Sequence, residues 1–125
     1  MKIITVSGAH SGVGKTKVAE MLLRKLKGWS ALKVTVTHHG NSCPIQRDCG
    51  ACDELHSDFA IVSDRKIIEQ KGKDTRRFKE AGAKKVLWLK VHPEGLKQGV
   101  KKAITKFRRA KGIIDEGNSI LKYLK

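Results

Sequence analysis

The sequence is poor in aromatic and acidic residues and contains no long apolar segment. Six of its 125 residues are aromatic, and 12 acidic residues stand against 27 lysines and arginines. No apolar run approaches the roughly 18 residues that a membrane-spanning helix needs. The first residues also lack the charged region, longer apolar region and cleavage site of a signal peptide. We therefore expect a cytoplasmic protein that does not insert into membranes.

The composition is that of a globular domain with a strong excess of positive charge. Hydrophobic residues make up 39% and charged residues 31% of the chain, a balance that excludes intrinsically disordered classes. A chain of this length forms one compact domain, so we expect a single domain over residues 1–125. The formal net charge of +15 attracts polyanions by long-range steering, but it does not select one polyanion over another.

Alternating strand and helix signals predict an α/β fold with three layers and a mostly parallel sheet. β-branched and alternating apolar runs favour strands, and apolar residues spaced three and four apart favour helices. The predicted strands are 3–7, 32–36, 59–62, 86–91 and a weak one at 113–114, and the predicted helices are 18–26, 74–81 and 96–111. Residues from about 40 to 57 form a long loop rich in Cys, Pro, Gly and Asp.

A phosphate-binding loop lies between the first predicted strand and helix. The segment has the form Ala/Gly, any four residues, Gly-Lys-Thr, in residues Ala9, His10, Ser11, Gly12, Val13, Gly14, Lys15 and Thr16. Backbone N–H groups of such a loop wrap the β- and γ-phosphates, the lysine contacts their oxygens and the threonine hydroxyl ligates Mg²⁺. The flanking strand and helix distinguish it from a chance glycine-rich turn, so we expect a P-loop domain that binds GTP or ATP with Mg²⁺.

A carboxylate at the end of a neighbouring strand would complete the Mg²⁺ site. Asp115 and Glu116 follow the apolar pair at 113–114 and occupy such a position. The alternative is an acidic turn near the start of a helix. Both residues are candidates for orienting the metal.

Three cysteines and neighbouring histidines mark the long loop as a candidate metal site. Cys43, Cys49 and Cys52 are odd in number, which excludes a complete internal disulfide framework. A Cys-x-x-Cys pair chelates metals through a tight turn, so three thiolates could hold zinc or an iron–sulfur cluster. The fourth zinc ligand would be His39 or one of the other nearby histidines, His38 and His56. A redox-active pair and three unbound thiols are the alternatives.

Several further segments appear in a familiar order: His38-His39 after the second strand, Gly72-Lys73-Asp74-Thr75 with Arg76-Arg77, Glu80-Ala81-Gly82-Ala83, and Glu116-Gly117 after a strand. Together with the phosphate loop, this order resembles the MobB family of GTP-binding molybdenum-cofactor proteins. The resemblance extends to about Asn118.

The resemblance implies a P-loop GTPase-like fold, homodimerisation or an assembly partner, and help in attaching a nucleotide to molybdopterin. It gives phosphate and Mg²⁺ binding to Gly12, Gly14, Lys15 and Thr16, and the acidic position before glycine to Glu116, ahead of Asp115. It also implies that Asp74 and Arg77 lie near the site.

Three features depart from the family pattern. The family carries no Cys-rich insertion between the second strand and the Gly-Lys-Asp-Thr segment. The sequence contains no Asn-Lys-x-Asp segment to read guanine, and it stops at Lys125, where such domains usually continue. We therefore leave GTP and ATP open, and treat the chain as a minimal relative, a fragment or half of a composite protein.

The leading functional hypothesis is a nucleotide-binding accessory, or weak GTPase or ATPase, in molybdenum or other metal-cofactor assembly. Two alternatives stay open. One is a small zinc or iron–sulfur carrier with a nucleotide-controlled switch. The other is a nucleic-acid-binding module that uses the Lys/Arg face of the helix at 96–111.

Overall fold

The computed structural model describes residues 2–7, 14–36 and 59–117. Within these ranges the chain forms five strands, four α-helices and one 3₁₀ turn. In chain order they are β1 (Lys2–Val6), α1 (Lys15–Lys25), β2 (Ser30–Val36), β3 (Phe59–Val62), α2 (Arg65–Ile68), α3 (Asp74–Glu80), β4 (Val86–Val91), the 3₁₀ turn (Pro93–Gly95), α4 (Leu96–Thr105) and β5 (Gly112–Glu116).

The five strands form one sheet in the order β1-β5-β2-β4-β3. β1, β5, β2 and β4 are parallel, and β3 pairs antiparallel with β4 at one edge. This architecture confirms the prediction of an α/β fold with a mostly parallel sheet. Because β1, β5 and β2 are parallel, their carboxyl ends lie at the same end of the sheet. Residues far apart in the sequence therefore come together there.

Helices cover both faces of the sheet and bury two apolar clusters. On one face, Ala19 and Leu23 of α1 and Phe78 of α3 pack with the sheet residues Ala31, Val86, Trp88 and Ile114. On the other face, Leu96, Val100 and Ala103 of α4 pack with Leu32, Leu87, Leu89 and Ile113. Successive strand side chains point to opposite faces, so neighbouring residues of each strand fall into different clusters. The three layers are therefore helices, sheet and helix.

Gly112 at the start of β5 allows a tryptophan to lie against the sheet. A Cβ atom at this position would come within 2.6 Å of the ring atoms of Trp29. Trp29 precedes β2, the strand that pairs with β5. A side chain larger than hydrogen at position 112 would therefore force the indole or the strand to move.

The helices differ from the predicted ones at their boundaries. α1 begins at Lys15, before the first periodic apolar residue, and α4 ends at Thr105, earlier than the predicted 111. Past α4 the chain continues in tight turns, in which Phe107 N–H bonds to Ile104 O at 3.0 Å and Ala110 N–H bonds to Phe107 O at 2.9 Å. α2 was not predicted, because four residues are too few to show helical periodicity. None of the described helices combines the length and apolarity needed to cross a bilayer.

Candidate functional site

The described part of the amino end of α1 has features that favour an anion. Gly14, immediately before the helix, has a left-handed φ of 94° that other residues rarely adopt, and its carbonyl accepts the Val18 N–H at 3.2 Å. Within the described chain, no side chain caps this end of the helix and its first turn contains no acidic residue. The N–H groups of the first turn carry a partial positive charge that favours an anion at this end of the helix. Lys15 and Thr16 are the first two residues of the helix.

The hydroxyl of Thr16 contacts the last residue of β5. Thr16 Oγ1 donates a hydrogen bond to Glu116 Oε1 at 3.1 Å, across 100 positions of sequence. The contact follows from the sheet order, because β5 lies next to β1 and Glu116 is in register with Val6, the last residue of β1. The structure thus brings together the loop threonine and one of the two predicted carboxylates.

The second carboxylate oxygen of Glu116 lacks a hydrogen bond. Glu116 is 6% exposed, and its Oε2 is buried without a hydrogen-bond partner among the described residues. The ammonium of Lys33, in the described part of the chain, lies 3.8 Å from Oε2. A buried carboxylate oxygen left in this state costs free energy unless a cation or hydrogen-bond donor approaches it. With the Thr16 hydroxyl beside it, this oxygen fits the hard oxygen ligands that Mg²⁺ prefers.

Lys33 links Glu116 to the start of α3. Its ammonium lies 2.5 Å from Asp74 Oδ2, and it projects from β2 at the position in register with Glu116. Asp74, which the resemblance places near the site, is therefore two side chains from Thr16. Sequence reasoning missed Lys33. The available signal was a lysine inside a strand that runs between two others in a parallel sheet, where both faces are normally apolar.

Arg77 lies one turn further along α3 and joins that helix to α1. Its Nε and Nη2 donate to the two carboxylate oxygens of Glu20 at 2.8 and 2.9 Å, a two-pronged pairing with fixed geometry. The hydrogen bonds that Arg77 donates to Glu20, followed by the negative charges of Glu20, Asp74 and Glu116, raise the pKa of Arg77. Arg77 thus stays charged, and it fixes α3 against the helix that carries Lys15 and Thr16.

Asp115 lies on the opposite face of the sheet from Thr16. It is in register with Leu32, which belongs to the apolar cluster under α4, and it is fully buried. Neither oxygen has a hydrogen-bond partner among the described residues. Burial raises the pKa of Asp115 to about 8; the Glu116 charge adds to the rise, and the nearby Thr5 side chain opposes it. The carboxyl group is therefore mostly neutral at pH 7 and does not face Thr16.

The other predicted site residues lie outside the described ranges. Of the phosphate loop these are Ala9, His10, Ser11, Gly12 and Val13, and of the candidate metal loop Cys43, Cys49, Cys52, His39, His38 and His56. Among the residues that the structure does describe, no group of three or more His, Cys, Asp and Glu side chains is arranged to hold a metal ion. The zinc or iron–sulfur site at the cysteines remains a prediction.

Comparisons with protein-family models, with curated proteins and with solved structures found no match. The candidate site is therefore defined by the residues of this chain alone: Gly14, Lys15 and Thr16 at the start of α1, Glu116 at the end of β5, and the Lys33–Asp74 and Arg77–Glu20 pairs beside them.

Proposed function

We propose that the chain binds a nucleoside triphosphate with Mg²⁺ at the amino end of α1. The observation that carries this proposal is the contact of Thr16 with Glu116 at 3.1 Å, in the first turn of a helix that follows Gly14, a glycine with left-handed φ. A hydroxyl in the first turn of a helix that meets a carboxylate at the end of the adjacent strand is the arrangement that holds Mg²⁺ beside nucleotide phosphates. The sequence pattern Gly-Lys-Thr and the fold agree with it.

The phosphates would bind to the backbone and to Lys15. The first-turn N–H groups of α1 point along the helix axis, where their partial charges favour an anion. Lys15 is the first residue of the helix and is half-buried, so its ammonium is available to phosphate oxygens at this end. The Lys33 ammonium, 3.8 Å from Glu116 Oε2, offsets part of the Glu116 charge beside this end of the helix.

The metal would be held by Thr16 and Glu116. Because the Thr16 hydroxyl gives its hydrogen to Glu116 Oε1, the lone pairs of Oγ1 remain free for a cation. Glu116 Oε2 offers a second buried oxygen that has no hydrogen bond among the described residues. When bound, Mg²⁺ would supply charge neutralisation at the β- and γ-phosphate oxygens.

The resemblance to the MobB family extends the proposal to GTP and to a cellular role. We propose GTP ahead of ATP, with weak hydrolysis that depends on positioning and charge neutralisation. The role would be that of an accessory in molybdenum or other metal-cofactor assembly, in the cytoplasm, as a homodimer or with an assembly partner. The Lys33–Asp74 pair supports the resemblance, because Asp74 belongs to the Gly-Lys-Asp-Thr segment that carries it.

Equilibrium titration of the protein with fluorescent GTP and ATP analogues, in Mg²⁺ and in a chelator, tests this proposal. We expect saturable binding of at least one triphosphate, tightened about tenfold or more by Mg²⁺, the effect of about one strong charge-assisted contact. A diphosphate with the same base should bind more weakly. Absence of binding of both triphosphates at millimolar concentration would contradict the proposal.

A further inference from the structure

A cavity lined by positive charges opens at the end of the sheet away from Glu116. Its volume is about 690 Å³, and it lies where β2, β4 and β5 begin and α4 ends. Six of its lining residues are cationic: Lys84, Lys85, Lys102, Lys106, Arg108 and Arg109. They come from the turn before β4, from the last turn of α4 and from the segment that follows it. The fold thus gathers charges from two separate parts of the chain around one concave surface.

These charges are not balanced by carboxylates in the described structure. Among the described residues that line the cavity, none is acidic. Ion pairs seen between described residues join carboxylates to Lys33, Arg65, Arg76 and Arg77, which lie outside the cavity. Of the six cations, the Lys85 ammonium donates to a backbone carbonyl, that of Lys106, at 2.8 Å.

The carboxyl end of α4 does not explain this number of charges. A helix end carries about half a negative charge, which one lysine is enough to offset. Six cations around one cavity repel one another, and a concave wall of one sign concentrates the electrostatic potential. An anion bound in the cavity would relieve this repulsion.

We propose that this cavity binds a compact, multiply phosphorylated small molecule. Its volume falls in the range of roughly 300–1,000 Å³ typical of small-ligand sites. Lysine and arginine together suit adjacent phosphate groups, since lysine supplies a point charge and arginine a two-pronged donor. The one aromatic residue in the lining, Phe107, is 2% exposed, so it offers no open ring on which a base of single-stranded nucleic acid would stack.

The cavity is separate from the proposed triphosphate site. Gly14, Lys15 and Glu116 lie at the carboxyl ends of β1 and β5, whereas the cavity lies at the amino ends of β2, β4 and β5. Because they lie at opposite ends of the strands, we expect substitutions at one site to leave the other intact. The two sites can therefore be tested independently, and failure of the nucleotide proposal would leave this one standing.

Calorimetric titration with inorganic tripolyphosphate tests the proposal in a Lys15→Ala background, which removes the loop lysine. The cavity variant adds Lys106→Gln and Arg109→Gln. The matched control adds Lys97→Gln and Lys101→Gln, which remove the same charge from exposed positions of α4 outside the cavity. We expect the cavity variant to bind at least about tenfold more weakly, as expected for losing two charge-assisted contacts. The control should change by less than about twofold.

Two results would overturn the proposal. Equal weakening in both variants would show that tripolyphosphate responds to net charge and has no site in the cavity. The second result is that a single-stranded oligonucleotide of about 20 nucleotides binds and loses affinity when the cavity residues are replaced, while tripolyphosphate does not bind. This would identify a nucleic-acid surface instead. Thermal unfolding of all variants verifies that the proteins compared are folded.

Discussion

Thr16 Oγ1 and Glu116 Oε1 lie 3.1 Å apart, although 100 positions separate the two residues in the sequence. The contact exists because β5 is inserted between β1 and β2, so that the end of β5 lies beside the start of α1. It joins a hydroxyl from the phosphate-loop pattern to the one predicted carboxylate on the same face of the sheet. The proposed Mg²⁺ site depends on this contact between Thr16 and Glu116.

Thr16→Ala and Glu116→Gln are each expected to weaken the Mg²⁺ dependence of triphosphate binding. Because the two side chains act on one cation, the double variant should lose little more than either single variant. The measurement is the nucleotide dissociation constant across a Mg²⁺ series. Glu80→Gln, which removes a carboxylate from an exposed position of α3, is the control. An unchanged Mg²⁺ response in both single variants would show that these residues do not hold the metal.

Asp115→Asn is expected to stabilise the protein at alkaline pH. The pKa of Asp115 is about 8 in the fold against 3.8 for the ordinary group, so the folded state holds a proton that the unfolded state releases between these values. Stability from this group is therefore lost as the pH rises from about 4 to about 8. The asparagine variant has no carboxyl group to titrate at this position. At pH 9 its free energy of unfolding should exceed that of the native protein by up to a few kcal/mol.

Urea unfolding of both proteins at pH 5, 7 and 9 measures this difference. At pH 5 the carboxyl group is already largely ionised in the unfolded chain, so part of the difference is present, and the advantage of the asparagine variant should grow from pH 5 to pH 9. Other titrating groups are shared and cancel in the comparison. A stability difference that stays constant from pH 5 to pH 9 would contradict the raised pKa.

Gly112→Ala is expected to destabilise the protein by about 1–3 kcal/mol, the usual cost of overpacking. The added methyl group would meet the Trp29 ring, since a Cβ at this position comes within 2.6 Å of it. Trp29→Leu in the same chain should recover part of the loss. Denaturant unfolding of the two single variants and the double variant measures the coupling, and strictly additive losses would show that the indole is not the obstacle.

The sequence predicted the strands better than their arrangement. Apolar and β-branched runs located β4 at residues 86–91 as observed, and they indicated β3 at 59–62. The position of β5 between β1 and β2, and the antiparallel direction of β3, depend on long-range pairing that no local pattern encodes. The four residues of α2 were missed because they are too few to show helical periodicity, although their cap, the Asp64 carboxylate accepting from Lys66 N–H at 2.9 Å, is a local signal.

The same limit applies to the site. The motif placed Lys15 and Thr16 just before the helix predicted over 18–26, and the structure makes them its first two residues. Strand alternation separates Asp115 from Glu116, and that separation required the register of β5 against β2 to be known. A lysine inside a predicted strand was a local signal, but the partners of Lys33, Asp74 and Glu116, lie 41 and 83 positions away in the sequence and became visible only in the structure.

Cys43, Cys49 and Cys52 remain predicted ligands of one metal centre. Thiolates on a short loop act together as a chelate, so serine at any one of these positions should release most of the metal. Metal analysis of protein purified without oxygen measures zinc and iron in the native chain and in each serine variant. Protein that carries neither metal, and takes up neither on reconstitution, would exclude the centre.

Lys15→Ala gives the most direct test of nucleotide binding at this site. The substitution removes the phosphate partner at the start of α1, whereas Lys25→Ala removes an equal charge from the exposed end of the same helix. The measurement is the dissociation constant of Mg²⁺–triphosphate for the native chain and both variants, with thermal unfolding to compare their stability. We predict a loss of affinity of about 10- to 100-fold for Lys15→Ala, as expected when a charge-assisted contact is removed, and less than about twofold for Lys25→Ala. Equal affinity in all three proteins would contradict the phosphate-binding role of the loop.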